Sequence, residues 1–268
     1  MSKTKKTSSE VAEIAESPFV PAESVTSALE IASEMDLGCF DVPQIKVPSA
    51  DAGVWSVLGE GGAKQHVEAF EGIILAMNAK ERSWWAVDYD ARGAGDSPRP
   101  QCHSMDGKTG HGIREVMADD DVEPSSMACA ECPWSQWGSD RKSGVGQDCK
   151  QIGVAAVLLP GQSLPHILRI PPSSADAIRT FVVDLLSSGK KMTEVVTRFS
   201  LVPDKSSTGK DYCRVVLEVA RTTTPEEAEL VVSAKDPAKD LLLRRADCVV
   251  SLRRQSVLGR VSCRGSPL

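Results

Sequence analysis

Four of the eight cysteines lie in one segment, at positions 102, 129, 132 and 149. The Cys129-x-x-Cys132 spacing is typical of a tight turn that presents two thiolates to one metal ion. Cys102 lies 26 intervening residues before this pair and Cys149 lies 16 after it, so both can complete a tetrahedral site. A site of four cysteines has no open coordination position, and the pattern therefore predicts a structural zinc ion without a catalytic role.

Other interpretations of these cysteines remain open. His103 or His111 could replace Cys102 as the outlying ligand, and Cys102 could be an unrelated thiol. Cys129-Ala-Glu-Cys132 could be a redox pair, although it does not lie at the strand-to-helix junction that is typical of redox motifs. Residues 92–150 contain few side chains that could build a hydrophobic core, and a metal would supply stability that such a segment lacks.

The common catalytic motifs are missing from the sequence, including His-Glu-x-x-His, Gly-x-Ser-x-Gly and the Walker loop. A zinc deaminase needs His-x-Glu and Pro-Cys-x-x-Cys, but His103 is followed by Ser-Met and Ala128 replaces the proline. We therefore expect a protein that is not an enzyme. A metal-dependent nuclease built on Asp88, Asp90 and Asp96 is a weaker possibility, because these residues lie in an apparent loop.

The elements that must position these residues follow from hydrophobic periodicity and from turn residues. Residues 1–23 are polar and predict disorder. Helices are predicted at 24–36, from Ser173 or Ser174 to Ser188, and from Thr224, whose Thr-Pro-Glu-Glu sequence forms a capping box. Strands are predicted at 39–49 (an edge strand, because it contains prolines), 67–78, 83–87, 152–159, 166–170, 193–202 and 212–220.

The order strand, insertion, strand, strand, helix, strand, strand is that of an OB-fold, a five-stranded barrel with a helix between its third and fourth strands. We expect a mainly β (α+β) protein with an OB-type barrel, one packed helix and a zinc-binding insertion at 92–150. The predicted division is a flexible N-terminal segment with a short helix (1–38), an OB-like domain (39–235) and a basic C-terminal tail (236–268).

The predicted strands place aromatic and cationic side chains together. If 193–202 and 212–220 pair as a hairpin, Arg198, Tyr212 and Arg214 share one face. Single-stranded nucleic acid is bound by aromatic rings beside cations that follow the phosphates. The candidate contacts are Arg82, Trp84, Lys150, Arg169, Lys190, Lys191, Arg198, Lys205, Lys210, Tyr212 and Arg214. Alternatively these are solvated residues of an exposed sheet. Trp134 and Trp137 are expected to pack the zinc module.

The charge distribution is uneven. Net charge is −6, but residues 1–140 carry 11 Lys and Arg against 24 Asp and Glu, whereas residues 141–221 carry 12 against 7. This favours a local anion-binding surface on an acidic protein. No apolar run is long enough for a transmembrane helix, and the start lacks a secretory signal, so we expect a cytoplasmic protein with reduced thiols, without membrane association.

The stretch from Cys102 to about Val231, about half of the chain, resembles phage and prophage proteins regarded as single-stranded DNA-binding OB-fold proteins with a cysteine-rich zinc insertion. The resemblance is carried by four stretches, namely Cys102-His-Ser-Met-Asp-Gly107, Cys129-Ala-Glu-Cys132-Pro-Trp-Ser-Gln-Trp-Gly-Ser139, Gly144-Val-Gly-Gln-Asp-Cys149-Lys150 and Leu168-Arg-Ile-Pro-Pro-Ser-Ser174. It implies sequence-tolerant coating of exposed strands in phage-type DNA replication or recombination, in the cytoplasm of a bacterial host.

The resemblance also implies replication or recombination proteins as partners. Separately, the acidic N-terminal half and the basic C-terminal tail could pair between subunits in a homo-oligomer. Many single-strand binders recruit partners through an acidic C-terminal tail, whereas this sequence ends with Arg253, Arg254, Arg260 and Arg264. The alternative function is a zinc-stabilised protein-interaction or regulatory module that binds no nucleic acid. A salt-dependent affinity for oligonucleotides separates the two.

Overall fold

The computed structural model describes residues 19–48, 53–59, 63–85, 100–113, 124–141, 144–205, 209 and 211–244. The fold is α+β and mainly β, with a mixed sheet. Its helices are α1 (Ala22–Glu34), α2 (Ala175–Ser187) and α3 (Pro225–Leu243). Its strands are β1 (Gln44–Ile45), β2 (Trp55–Leu58), β3 (Lys64–Val67), β4 (Ala69–Trp84), β5 (Cys102–Ser104), β6 (Thr109–Ile113), β7 (Pro124–Ala128), β8 (Lys150–Leu158), β9 (His166–Ile170), β10 (Val195–Lys205) and β11 (Asp211–Thr222).

Strand β4 organises the sheet because it is long enough to pair with three others. Its first residues pair with β10, its central part pairs with β8, and its end pairs with β5. The sheet then continues from β8 to β9 and β1, from β5 to β6 and β7, and from β10 to β11. Among the described strands, only β1 and β9 pair in parallel, and the hairpin β2–β3 forms a separate two-stranded sheet. The cysteine-rich insertion thus begins where β4 ends and returns to the sheet at β8.

The two faces of the sheet bury two separate cores because side chains alternate along each strand. One face encloses a core with Trp55, Phe70 and Phe199, in which the ring of Phe70 stacks on Phe199 with centroids 4.7 Å apart. Helix α2 contributes Ile178, Phe181 and Leu185 to this core. The opposite face of β4, β8 and β9 is covered by α1 and α3. The outer face of the β10–β11 hairpin is left outside both cores.

The structure confirms the predicted strand at 166–170 and the strands that became β8, β10 and β11 with small shifts of their ends. The predicted strands at 67–78 and from 83 form one strand, β4, whose bulges allow it to continue. Prediction missed the hairpin β2–β3. It also missed the continuation of α3 to Leu243, past the predicted start of the tail at 236. Disorder is predicted for residues 1–23, but α1 already begins at Ala22. Residues 1–18 and 86–87 lie outside the described residues.

The predicted OB-type barrel is confirmed only as a mainly β fold. No closed barrel is found among the described strands. The edge of β9 that faces away from β8 pairs with β1 and not with β11. The turn between β9 and α2 nevertheless contacts β11, since the Val215 backbone N–H donates to Ser174 Oγ at 2.9 Å. This bond also explains why Ser174 caps α2 without a side-chain hydrogen bond to the helix.

None of the three α-helices in the described ranges combines the length and the hydropathy that crossing a membrane requires.

The predicted capping box of α3 is present and is reinforced by an ion pair. Thr224 N–H donates to Glu227 Oε2 at 2.8 Å, and Arg221 donates to both carboxylate oxygens of Glu227 at 2.6 and 2.7 Å. Glu227 is 9% exposed, and the Arg221 guanidinium lowers the pKa of its carboxyl. This contact ties the end of β11 to the start of α3.

Replacing Glu227 with glutamine is therefore expected to lower the free energy of unfolding by about 1–2 kcal/mol, because it removes a charge-assisted bidentate hydrogen bond. Urea denaturation at pH 7 measures this loss. Glu229→Gln, an exposed site on the same helix, is the control and should stay within about 0.5 kcal/mol of the wild type. Equal stability of the two variants would contradict the assigned role.

Candidate functional site

The structure brings the four clustered cysteines to one small cavity. Cys102 begins β5, Cys129 follows β7, Cys132 precedes a 3-10 turn, and Cys149 precedes β8. The cavity is completed by Arg82, His103, Ser104, Gly110, Met127 and Ser135. A Cβ atom at Gly110 would lie 3.0 Å from Cys102 Sγ and 3.7 Å from Cys129 Sγ, so glycine on β6 leaves room for two sulfurs.

The predicted zinc site is wrong, because these side chains do not have the arrangement that a metal ion needs. In the described part of the chain, no group of three or more His, Cys, Asp or Glu side chains is arranged so that it could hold a metal ion. A tetrahedral thiolate site needs each sulfur about 2.3 Å from a common point. Lining the same cavity therefore does not make Cys102, Cys129, Cys132 and Cys149 a ligand set.

The electrostatics of the cavity favour neutral thiols. Burial raises the pKa of the Cys102 thiol to about 11, with smaller contributions in the same direction from Cys132 and Cys129. Burial likewise raises the pKa of Cys149 to about 12, against the opposing effect of Arg82. Removing a proton would place a negative charge in a poorly solvated space among other sulfurs. These thiols are therefore protonated at neutral pH and are weak nucleophiles.

An aromatic brace of Trp84, Trp134, Arg141 and Asp148 joins the insertion to the sheet. The Trp84 and Trp134 rings stack with centroids 5.2 Å apart, and the Arg141 guanidinium lies 5.6 and 5.9 Å from the two centroids. Trp84 Nε1 donates to Asp148 Oδ2 at 2.6 Å, and Asp148 also pairs with Arg141 at 2.8 Å. The brace joins the end of β4 to two loops of the insertion.

Three predicted nucleic-acid contacts lie at this junction. Trp84 is 5% exposed and its ring packs on Trp134, so the predicted stacking role of Trp84 is corrected to a packing role. Arg82 lines the cysteine cavity and donates to the Cys149 carbonyl at 3.0 Å, so its guanidinium is engaged inside the insertion. Lys150 is the most exposed of these three predicted contacts, with 55% of its side chain exposed. Its ammonium lies 3.4 Å from the Asp140 carboxylate.

Arg169, Lys190 and Lys191 are not brought together. The half-buried Arg169 side chain donates to Gln44 and stacks over the Phe40 ring, 4.4 Å from its centroid, so Arg169 fixes the segment before β1. Lys190 and Lys191 lie in the connection between α2 and β10, and Lys191 pairs with Glu194 at 3.6 Å.

The β10–β11 hairpin forms with the predicted shared face. Its register pairs Arg198 with Glu218, Ser200 with Val216, Val202 with Arg214, and Asp204 with Tyr212. Arg198 also lies opposite Glu71 of β4. Arg198, Tyr212 and Arg214 therefore point to the same side, as alternation along the strands predicts. We call this surface the hairpin face. It consists of the outward-facing side chains of Glu71, Arg198, Ser200, Val202, Asp204, Tyr212, Arg214, Val216 and Glu218.

Each guanidinium on the hairpin face has an acidic neighbour. Arg198 pairs with Glu71 at 3.5 Å, and Arg214 pairs with Asp204 at 3.7 Å. Tyr212 donates to the same Asp204 carboxylate at 2.9 Å. Lys205 pairs with Asp211 at 3.0 Å and alternates to the other side of the hairpin, at its end. Lys210 lies outside the described residues.

Sequence reasoning missed Trp137, which was expected to pack the module. Trp137 is 79% exposed, whereas the other tryptophans are buried or half-buried. It follows the 3-10 turn Pro133–Ser135 and precedes Gly138, whose φ of 92° redirects the backbone. A tryptophan between glutamine and glycine, in a segment without a core, is the sequence signal that could have indicated exposure.

Two buried histidines are a further feature that the sequence does not reveal. His103 is 1% exposed and His166 is fully buried, and neither ring nitrogen of His103 has a hydrogen-bond partner among the described residues. Burial lowers the pKa of His103 to about 4, with smaller contributions from His111 and Arg169. Burial also lowers the pKa of His166. Both imidazoles are therefore neutral at pH 7.

Comparison of the chain with models of protein families, with curated proteins and with solved structures finds no match.

Proposed function

We propose that this chain binds single-stranded DNA, without sequence preference and without turnover, on the hairpin face of an OB-type sheet. The observation that carries the proposal is the strand pairing around β4. Strand β4 pairs with both β8 and β10, β8 pairs with β9, and β10 pairs with β11. Helix α2 lies between β9 and β10 in the chain. These are the neighbour relations of an OB barrel whose last seam is open.

The open seam is compatible with this assignment. Strand β1 takes the position beside β9 that would close the barrel, and the hairpin β2–β3 adds Trp55, Val57 and Val67 to the enclosed core. The hydrogen bond from Val215 to Ser174 joins β11 to the turn that follows β9. OB sheets bind oligonucleotides through exposed strand faces and adjoining loops, and the hairpin face is the exposed outer surface that α1 and α3 leave uncovered.

The hairpin face offers the two kinds of contact that single strands need. The half-buried Tyr212 supplies an aromatic ring for stacking, and Arg198 and Arg214 supply cations with 49% and 46% of their side chains exposed. Because Arg198 and Arg214 are paired with carboxylates, a phosphate competes with Glu71 and Asp204 for these cations. With about two phosphates neutralised, the logarithm of affinity should fall with the logarithm of salt with a slope of roughly −1 to −2.

The decisive experiment measures the anisotropy of a fluorophore-labelled dT oligonucleotide of about 20 nucleotides during titration with the full chain, at several salt concentrations. A labelled duplex of equal length is the comparison. Preference for the single strand with a negative salt slope supports the proposal. Failure to bind at low salt by a folded protein overturns it.

Replacing Tyr212 with alanine is expected to weaken binding of the single strand about 10-fold, because stacking of one base is worth about 1–3 kcal/mol. Tyr212→Phe retains the ring and loses only the hydrogen bond to Asp204, so it should bind within about 3-fold of the wild type. Arg179→Ala, an exposed cation on α2, is the control for charge. Equal affinities of the two Tyr212 variants would argue against stacking there.

A second candidate, a protein-interaction or regulatory module, is favoured by one specific observation. The hairpin face carries two cations, Arg198 and Arg214, against three carboxylates, Glu71, Asp204 and Glu218. An acidic balance disfavours phosphates and suits a cationic protein partner. The same titration decides between the candidates, since such a module would leave the anisotropy of both oligonucleotides unchanged.

A further inference from the structure

We propose that Trp137 is a second stacking platform, which receives one base of a single DNA strand at the insertion end of β4. The inference rests on the proposed function and names a contact that lies apart from the hairpin face. Trp137 is 79% exposed, which is unusual for the residue type with the largest apolar side chain. A single exposed indole presents a flat surface of the size of one base.

The backbone on both sides of Trp137 is held in place by the insertion itself. Gln136 Nε2 donates to the Ala130 carbonyl at 2.7 Å, and Gly138 N–H donates to the Gly146 carbonyl at 2.6 Å. Ser139 Oγ donates to the Gln136 carbonyl at 2.7 Å. The indole is therefore displayed from a fixed turn, and stacking a base on it requires little ordering of the protein.

A cation, Lys150, lies at the start of β8, next to the turn that carries Trp137. The Cys149 N–H donates to the Trp134 carbonyl at 2.8 Å, which places the turn of Trp137 beside the start of β8. Lys150 follows directly, with 55% of its side chain exposed, and its ammonium reaches Asp140 at 3.4 Å. An indole with an exposed lysine nearby matches the combination of base stacking and phosphate contact that single strands require.

The surroundings favour a nucleic-acid base over a protein surface. Among the described residues from 131 to 149, Val145 (60% exposed) is the one other exposed large hydrophobic side chain, since the Trp134 ring is half-buried against Trp84. Gly138, Gly144 and Gly146 all have positive φ angles. A stable protein interface needs about 800 Å² on each partner around its anchor residues, with an apolar centre. One indole among glycines offers a base-sized contact and little apolar surface around it.

The hairpin face and Trp137 lie near opposite ends of β4, so one DNA strand could contact both. Arg198 and Ser200 of the hairpin pair with the first residues of β4, whereas the insertion begins after its last residue, Trp84. Strand β4 has 16 residues, a path of about 50 Å at about 3.3 Å per residue, shortened by its bulges. A strand that occupies both regions gains from intramolecular binding of the second, which raises its overall affinity.

The test compares labelled dT oligonucleotides of about 20 nucleotides by anisotropy, so that the readout does not depend on tryptophan. Trp137→Ala is expected to bind about 10-fold more weakly than the wild type, and Trp137→Phe within about 3-fold, because phenylalanine keeps an aromatic face. Leu186→Ala, at an exposed apolar residue of α2 (63% exposed), is the matched control and should bind as the wild type does. Circular dichroism checks that each variant is folded.

The outcomes separate this inference from the proposed function. If Trp137→Ala binds within about 2-fold of the wild type while Tyr212→Ala is weakened, the inference is overturned, Trp137 becomes a candidate protein contact, and DNA binding stands. If the wild type binds no single strand, both fall. If Trp137→Ala does not fold, the intrinsic fluorescence of Trp137→Phe decides. A base stacked on Trp137 should quench the fluorescence of the wild type when DNA is added. Loss of this quenching in Trp137→Phe supports the platform, and quenching equal to that of the wild type overturns it.

Discussion

Replacing Trp84 with alanine is expected to lower the free energy of unfolding by about 3–5 kcal/mol, the usual cost of truncating a buried aromatic residue. Trp84 is 5% exposed, and its loss removes the partner of the Trp134 ring and the donor to Asp148. It would also remove an aromatic ring against which the Arg141 guanidinium packs. Because Trp84 is the last residue of β4, we expect the insertion to separate from the sheet.

Urea denaturation followed by circular dichroism measures this loss. Trp84→Phe keeps a ring for stacking and loses the hydrogen bond to Asp148, so it should cost about 1–3 kcal/mol. Trp137→Ala is the matched control, a tryptophan of the same region that is exposed, and it should stay within about 0.5 kcal/mol of the wild type. A loss below about 1 kcal/mol for Trp84→Ala would contradict the brace.

The free energy of unfolding is expected to fall by about 3 kcal/mol as pH decreases from about 7 to 4, because His103 must remain neutral in the folded protein. Its pKa is about 4 in the folded protein, against 6.5 for an ordinary solvated histidine. The unfolded chain therefore binds the proton first, and stability that is fully present above about pH 6.5 is lost between that pH and about 4. Each pKa unit is worth about 1.4 kcal/mol.

The pH window identifies the histidines as the cause. Carboxyl groups with lowered pKa values, such as Asp106 at about 2 and Glu227, lose their contribution only below about pH 5. The slope between about pH 7 and 5 therefore reports on His103, together with His166, whose pKa is also lowered. His103→Gln should reduce this slope by about half or more, whatever its stability at pH 7.

Urea denaturation at closely spaced pH values checks this prediction. His66→Gln, at an exposed histidine of β3, controls for the substitution itself and should retain the slope of the wild type. A slope in His103→Gln equal to that of the wild type would place the proton uptake elsewhere.

Some elements of this fold follow from short-range sequence signals. The bounds of β9 match the predicted strand at 166–170, because Pro171 and Pro172 end it and proline cannot continue a strand interior. The start of α3 was predicted from Thr224 and Glu227, since a capping box needs only residues three apart. The shared side of Tyr212 and Arg214 followed from alternation once β10 and β11 were paired.

Other features depend on contacts that are distant in the sequence. The parallel pairing of β1 with β9, which leaves the barrel unclosed, joins Gln44 to Ile167 and Ile45 to Leu168. Nothing in the two residues of β1 distinguishes this partner from β11. The hairpin β2–β3 was missed because its strands have four residues each, too few for a clear alternation.

Composition and spacing alone identify the residues of this protein that can carry chemistry: a group of four cysteines, a small number of aromatic residues, and cations concentrated after residue 140. What each of them can do depends on its surroundings in the folded chain. Cys102 and Cys149 became neutral thiols because burial removes the water that would stabilise a thiolate. Trp84 became a packing residue and Trp137 an exposed one, because the insertion folds back over β4 and covers one indole while its own turn displays the other.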